Sequence, residues 1–252
     1  MSSESLPQLA NPPIVEAVVD LDCIFDQAPD LQGIRLAAAE AVGQDYPESD
    51  QVWRTDFRVD ISKAGANVGA SQVAPECQAL RFWNKQRNQL VQFRTAGFSF
   101  NRLRPYSGFD AYKEELRANW LKYCDIAAPN RINIVRLRYV NVIRIEQNLH
   151  DIDDYFKIGP RIPTIEPELS VARFSNKCLV FDSARSSDAE IALDLRPAND
   201  SSRYTLTITV GKRVDIEPID WLQVCSTIES LRGFKNILFK ESITEKCLQL
   251  FG

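Results

Sequence analysis

The chain has 252 residues, 44% of them hydrophobic, and 34 acidic against 30 basic side chains leave a formal charge of −4. That length supports one large domain or two closely packed halves, and an acidic balance disfavours non-specific nucleic-acid binding. No apolar run approaches the roughly 20 residues that cross a bilayer. The polar start MSSESLPQLANPP lacks the basic and apolar regions of a signal peptide, so a cytoplasmic protein is expected.

Pro12 and Pro13 follow a lead-in, residues 1–13, expected to be disordered, and set an extended entry into a strand over 14–25. There Val15, Ala17, Val19, Leu21, Cys23 and Phe25 alternate with polar positions. Helical spacing and an alanine-rich centre predict a helix over 31–42, ended by Gly43. Residues 52–62 alternate Trp53, Thr55, Phe57, Val59 and Ile61 against Arg54, Asp56, Arg58 and Asp60, the pattern of one strand with Trp53, Phe57 and Val59 in the core. Residues 64–76 are rich in Gly, Ala and Ser and read as a loop. Strands over 79–85 and 88–101 follow, then a helix over 106–127 with Phe109, Tyr112, Leu116, Trp120 and Tyr123 on one stripe and Ser107 or Asp110 as its cap.

The second half runs in the same order. A long strand over 131–146, a short helical turn over 151–156 and strands over 170–182, 189–196 and 203–213 precede a helix over 218–231. Ser242 with Glu245 reads as a capping box for a last helix. The expected fold is α+β: two β-α-β-β-β-α halves, residues 14–128 and 129–252, related as a pseudo-duplication, with mainly antiparallel sheets, helices on one face and an extra C-terminal helix. Leu137, Tyr139, Trp120 and Trp221 are expected core residues.

The motifs NPPIVEAVVDL at 11–21, FNRLRPY at 100–106 and LRYVNVI at 137–143, with DYF and a C-terminal F…SIT, resemble a sporadically distributed bacterial family of chains of about this length. The resemblance covers essentially the whole chain, and none of its motifs brings a chemical role, so no catalytic residue is carried over. Patchy distribution implies accessory-genome cargo of the phage-defence or toxin–antitoxin kind, an association attached to the family.

Chemistry-bearing patterns are sparse. Six cysteines stand far apart with no C-x-x-C pair, and His150 is the single histidine, which disfavours a zinc site and leaves the thiols as reduced, buried hydrophobes. There is no G-x-S-x-G, no P-loop and no dinucleotide-binding glycine motif, so no catalytic residue and no cofactor is assigned. Asp151, Asp153 and Asp154 suit the charged first turn of a short helix better than a metal cluster.

Residues 98–146 hold nine Lys/Arg against five Asp/Glu, which points to an internal ion-pair network or an anionic partner. The polar face of 14–25 presents Glu16, Asp20 and Asp22, and that of 131–146 presents Arg136, Arg138 and Arg144. If the two strands approach, carboxylate–guanidinium pairs form; otherwise the charges are solvated or wall an anion site. Asn141 interrupts an apolar face and marks a satisfied network, a strand irregularity or an amide that orients a ligand. Asn101, Arg102, Arg104 and Tyr106 lie where a strand runs into a helix, either bracing the turn at Pro105 or holding an anion.

Three functions compete. The first is a non-enzymatic interaction or regulatory protein acting on a protein partner, an effector encoded nearby. The alternative is a binder of, or enzyme acting on, a small anionic ligand or nucleotide between the halves. The third, nucleic-acid binding, rests on Trp83, Lys85, Arg87, Arg102 and Arg104 interleaved with Phe93, Phe98 and Phe100, and is disfavoured because such aromatics fill cores.

Overall fold

The computed structural model describes residues 9–55, 57–61, 68–72, 74–145, 152–159, 173–197 and 202–252. His150, Asp151 and most of the 1–13 lead-in lie outside them, as do the side chains of Phe57 and Val59.

β1 (Ile14–Ile24) sends Ala17, Val19 and Leu21 to one face and Glu16, Asp20 and Asp22 to the other. It is central, antiparallel to β7 (Gly97–Leu103) on one side and to β8 (Arg131–Ile145) on the other. The full order of the nine-stranded sheet is β2-β5-β6-β7-β1-β8-β11-β10-β9. β5 (Glu76–Trp83), β6 (Gln89–Arg94) and β7 form one antiparallel meander beside β1. β9 (Phe174–Asp182), β10 (Ser187–Pro197) and β11 (Ser202–Ile216) form another beside β8. β2 (Glu48–Arg54) adds the outer edge next to β5.

Four helices accompany the sheet: α1 (Arg35–Val42), α2 (Lys113–Ala127), α3 (Trp221–Ser242) and the short α4 (Glu245–Leu248). α2 packs on β7 and α3 on β8 and β11, while α1 leans on α2. Trp120 Nε1 donates to the Pro218 carbonyl at 2.8 Å, tying α2 to the entry of α3. Beneath the helices lies an aromatic core in which Phe93, Phe98, Trp120 and Tyr123 meet edge-on or stacked. Such pairs add about 0.5–1.5 kcal/mol each beyond burial. Leu137, Tyr139, Trp120 and Trp221 are buried as expected.

Several expectations are corrected. The single strand over 52–62 is two: β2 ends at Arg54, and β3 (Phe57–Ile61) pairs with β4 (Val68–Gln72) in a separate hairpin built from the expected loop. A register shift between Val52 and Trp53 breaks the alternation, and Trp53 is 50% exposed rather than core. The 88–101 strand is folded in two at Thr95–Ala96, where Gly97 takes φ +143 with its Cα so near the Leu21 carbonyl that a Cβ would clash. Only glycine fits there. Neither Ser107 nor Asp110 caps α2, which starts after a 3₁₀ turn at Phe109–Ala111. α3 runs eleven residues past its expected end because Gly233 interrupts nothing, Phe234 and Phe239 continuing the buried stripe. Thr244 caps α4 by accepting from the Cys247 N–H, whereas the Ser242 hydroxyl donates back to Leu238.

Candidate ligand site

The residues singled out in sequence divide between the two faces of the sheet. On the face away from the helices, Asp22 accepts from Arg94 Nη2 at 2.7 Å and from Arg136 Nη1 at 3.2 Å. Asp20 accepts from Ser99 Oγ and lies 3.8 Å from Arg94, while Glu16 accepts from Asn101 Nδ2 at 2.7 Å. Gln92 Nε2 in turn donates to Asn101 Oδ1 at 2.9 Å. Arg138 faces Val18 and Thr209 in the register, is exposed, and pairs with no carboxylate among the described residues. Arg94, which reaches both Asp20 and Asp22, ends the first strand of the β6–β7 hairpin, which alternation alone could not locate.

Asn101, Arg102, Arg104 and Tyr106 are not brought together. Asn101 joins the acidic network, Arg102 is half-buried with its Nε unpartnered, and Arg104 is exposed, held by its backbone N–H on the Val15 carbonyl. Phe93, Phe98 and Phe100 are fully buried and offer no stacking surface.

Tyr106 and Asn141 do converge, on a cavity of about 380 Å³ at the end of the β1–β8 pair. Its walls are Leu9 to Ile14, the 106–108 connection from β7 to α2, and Lys235, Asn236 and Phe239 of α3. Two backbone bonds fix the first wall: Asn11 N–H on the Phe251 carbonyl at 3.0 Å and Val142 N–H on the Pro13 carbonyl at 2.9 Å. Asn141 lies beside a β-bulge in β1, and its Nδ2 donates to the Leu206 carbonyl at 3.0 Å.

Lys235 supplies the charge. Its Nζ stands 4.3 Å from the centroid of the Tyr139 ring, a cation–π contact. Burial, helped by the neighbouring charge of Arg232, pushes its ammonium down to about 8. No described carboxylate reaches it. Arg232, one turn earlier, is already engaged: Glu229 accepts from it through both oxygens at 2.7 Å, and it lies over the Phe109 ring at 4.9 Å. Tyr106, Tyr112 and Tyr139 cluster with centroids 6.1 and 6.3 Å apart, and burial raises all three phenols, so they are neutral donors. No carboxylate is among the described residues that line the cavity. The described lining thus combines one ammonium with the polar side chains of Ser107, Asn141 and Asn236 and an otherwise largely apolar wall.

Lys235, Asn236 and Phe239 were missed in sequence because α3 was expected to stop before Arg232, and Ser107 was read as a helix cap. The usable signal was Phe234 and Phe239, which extend the apolar stripe past Gly233. Among the described residues no three or more His, Cys, Asp or Glu side chains gather as a metal site. No described helix is long and apolar enough to cross a membrane. All six cysteines are free; Cys77 and Cys247 are buried, but Cys178 is exposed, against expectation.

No family model, no curated protein and no solved structure matches the chain.

Proposed function

We propose that this protein binds a small anionic ligand in the cavity between the two sequence halves. The observation that carries this is Lys235: a desolvated ammonium on a cavity wall, with no carboxylate answering it among the described residues. Removing a cation from water without a counter-charge is costly, and an incoming anion recovers that cost. Both halves contribute, Ile14 and Tyr106 from the first and Asn141 and Lys235 from the second. A pseudo-duplication of β-α-β-β-β-α units would suit the same picture: three-stranded antiparallel meanders flank β1 and β8, β2 adds a fourth strand on the β1 side, and the cavity lies at the end of the β1–β8 pair. A cytoplasmic setting, where anionic metabolites are abundant, suits the proposal.

The test is a thermal-shift screen of nucleotides, phosphorylated metabolites and carboxylates. A ligand at 100 times its Kd adds about 2.7 kcal/mol, a readily measured rise in Tm that Lys235→Gln should diminish. A flat response to every anion would remove the proposal.

A second reading, a protein-interaction or regulatory role toward an effector encoded nearby, draws on the outer edge of the sheet. β9 exposes Leu179 at 75% and Phe181 at 71%, whereas the opposite edge, β2, carries Glu48 and Asp50 in ion pairs with Arg87 and Arg81. Open apolar edge strands accept added strands unless charge guards them. Co-purification with the products of neighbouring genes should then yield a partner lost on Leu179→Lys/Phe181→Lys. A chain that elutes alone with each neighbour counts against it.

A further inference from the structure

We infer that the ligand of the Lys235 cavity is an amphipathic monocarboxylate, its head on Lys235 and its apolar body against the N-terminal wall and Phe239. The inference rests on the anion-site proposal above and narrows it by charge and by lining. Among the described lining residues Lys235 is the single cation, and the nearby Arg232 is held by Glu229. A carboxylate brings one negative charge, which one ammonium neutralises. A phosphate monoester brings about −1.5 to −2, and a nucleoside diphosphate more, which would leave charge uncompensated in a half-buried site.

The remaining walls agree. Leu9, Pro12, Ile14, the Tyr106 ring and Phe239 are apolar, so most of the bound molecule meets hydrocarbon rather than donors. Phosphate sites instead gather several backbone N–H groups or an arginine fork. A cavity of about 380 Å³ lies toward the small end of the usual range for small-molecule sites, about 300–1,000 Å³. Beside Lys235, Asn236 and Ser107 line the cavity and carry donors suited to a second carboxylate oxygen. The Asn141 amide gives one of its two N–H groups to the Leu206 carbonyl, and Asn141 lines the same cavity.

The experiment is calorimetric titration of the full chain at pH 7 with octanoate, its neutral isostere octanamide, octyl phosphate and AMP. Octanoate should bind about tenfold or more tightly than octanamide, the worth of one charge-assisted hydrogen bond. Lys235→Gln should erase that difference by weakening octanoate alone, and Phe239→Ala should weaken both. Raising the pH from 7 to 9.5 should weaken octanoate as the ammonium titrates and leave octanamide unchanged. Asn236→Asp, which places a competing carboxylate beside Lys235 without touching the core, should reproduce the Lys235→Gln result and guards against misfolding of that variant. Equal binding of octanoate and octanamide, or tighter binding of octyl phosphate or AMP than of octanoate, would overturn the monocarboxylate while the anion site stands in the latter case. Silence from all three anions, together with a flat thermal-shift panel, would overturn both.

Discussion

Arg94→Ala should be the most damaging single change on the helix-free face of the sheet, and Arg138→Ala nearly the least. Arg94 Nη2 donates to Asp22 at 2.7 Å and to the Phe98 carbonyl at 3.0 Å, and stands 3.8 Å from Asp20. The three charged side chains are only 17 to 22% exposed, so water replaces little of what is lost. A hydrogen bond to a charged group is worth about 1.5–3 kcal/mol, and stranding a partly buried carboxylate adds to that. Asp22 keeps Arg136 at 3.2 Å, which limits the damage. The expected loss is about 2–4 kcal/mol. Arg138, exposed and without a described carboxylate partner, should change stability by no more than about 0.5 kcal/mol. Urea unfolding with unchanged m-values reads both numbers directly. Combining Arg94→Ala with Asp22→Asn should recover part of the loss, a coupling of about 1 kcal/mol or more in the double-mutant cycle. A loss below about 1 kcal/mol for Arg94→Ala, or an Arg138→Ala effect of equal size, would refute the claim that these charges act as a buried network.

Trp120→Ala should cost about 3–5 kcal/mol through the cavity it leaves, while Trp120→Phe should cost about 1–3 kcal/mol, chiefly the Pro218 carbonyl left unpaired; denaturant midpoints separate the two. Native protein treated with a disulfide reagent should show one fast thiol, Cys178, because Cys23, Cys124 and Cys247 are pushed up to about 12 by burial and react only on unfolding. The folded state lowers Lys235 to about 8, below its unfolded value, so the unfolded chain binds more protons between the two. Ligand-free stability should therefore rise with pH through that window, and Lys235→Met should stabilise the protein by about 1–3 kcal/mol at pH 7 and by much less near pH 10. Urea midpoints at the two pH values check the sign.

Much of the fold was legible because most strands obey one period. The central stretches of β1 and β8, Ala17–Leu21 and Val135–Tyr139, place Ala17, Val19, Leu21, Val135, Leu137 and Tyr139 on the helix-covered face, a period-two set that burial of that face dictates. The failures fall where two pairings share one pattern. Residues 52–62 keep period two across a break, since each half of the stretch is still a strand, so Trp53 was assigned to the core it does not enter. The β6–β7 turn is invisible because Thr95 and Ala96 carry no turn chemistry, and its signal is Gly97, which belongs to the strand. Of the candidate site, Asn141 was legible as an amide interrupting an apolar face, and Tyr106 as part of a cluster where a strand runs into a helix. Lys235 was not, because a lysine on a helix gives no sign of which neighbours will surround it until the helix is laid on the sheet.

The two faces then differ in a way that bears on function. On the helix-free face the named acids meet a donor from the chain: Glu16 from Asn101, Asp20 from Ser99, Asp22 from Arg94 and Arg136. A network whose members satisfy one another rigidifies the centre of the sheet and leaves little for a ligand to gain. The cavity at the end of the same two strands is the converse. Its cation lies against a tyrosine face and meets no described carboxylate, and its asparagine gives one N–H to the Leu206 carbonyl. Asp22 and Asn141 lie on the same strand pair, at opposite ends and on opposite faces. The rigid network thus holds the strands that carry the cavity floor, so that the cost of keeping Lys235 desolvated falls on a framework that does not relax around it. Under the anion-site proposal, preorganisation of that kind would turn the cost of keeping Lys235 from water into affinity for the anion that relieves it.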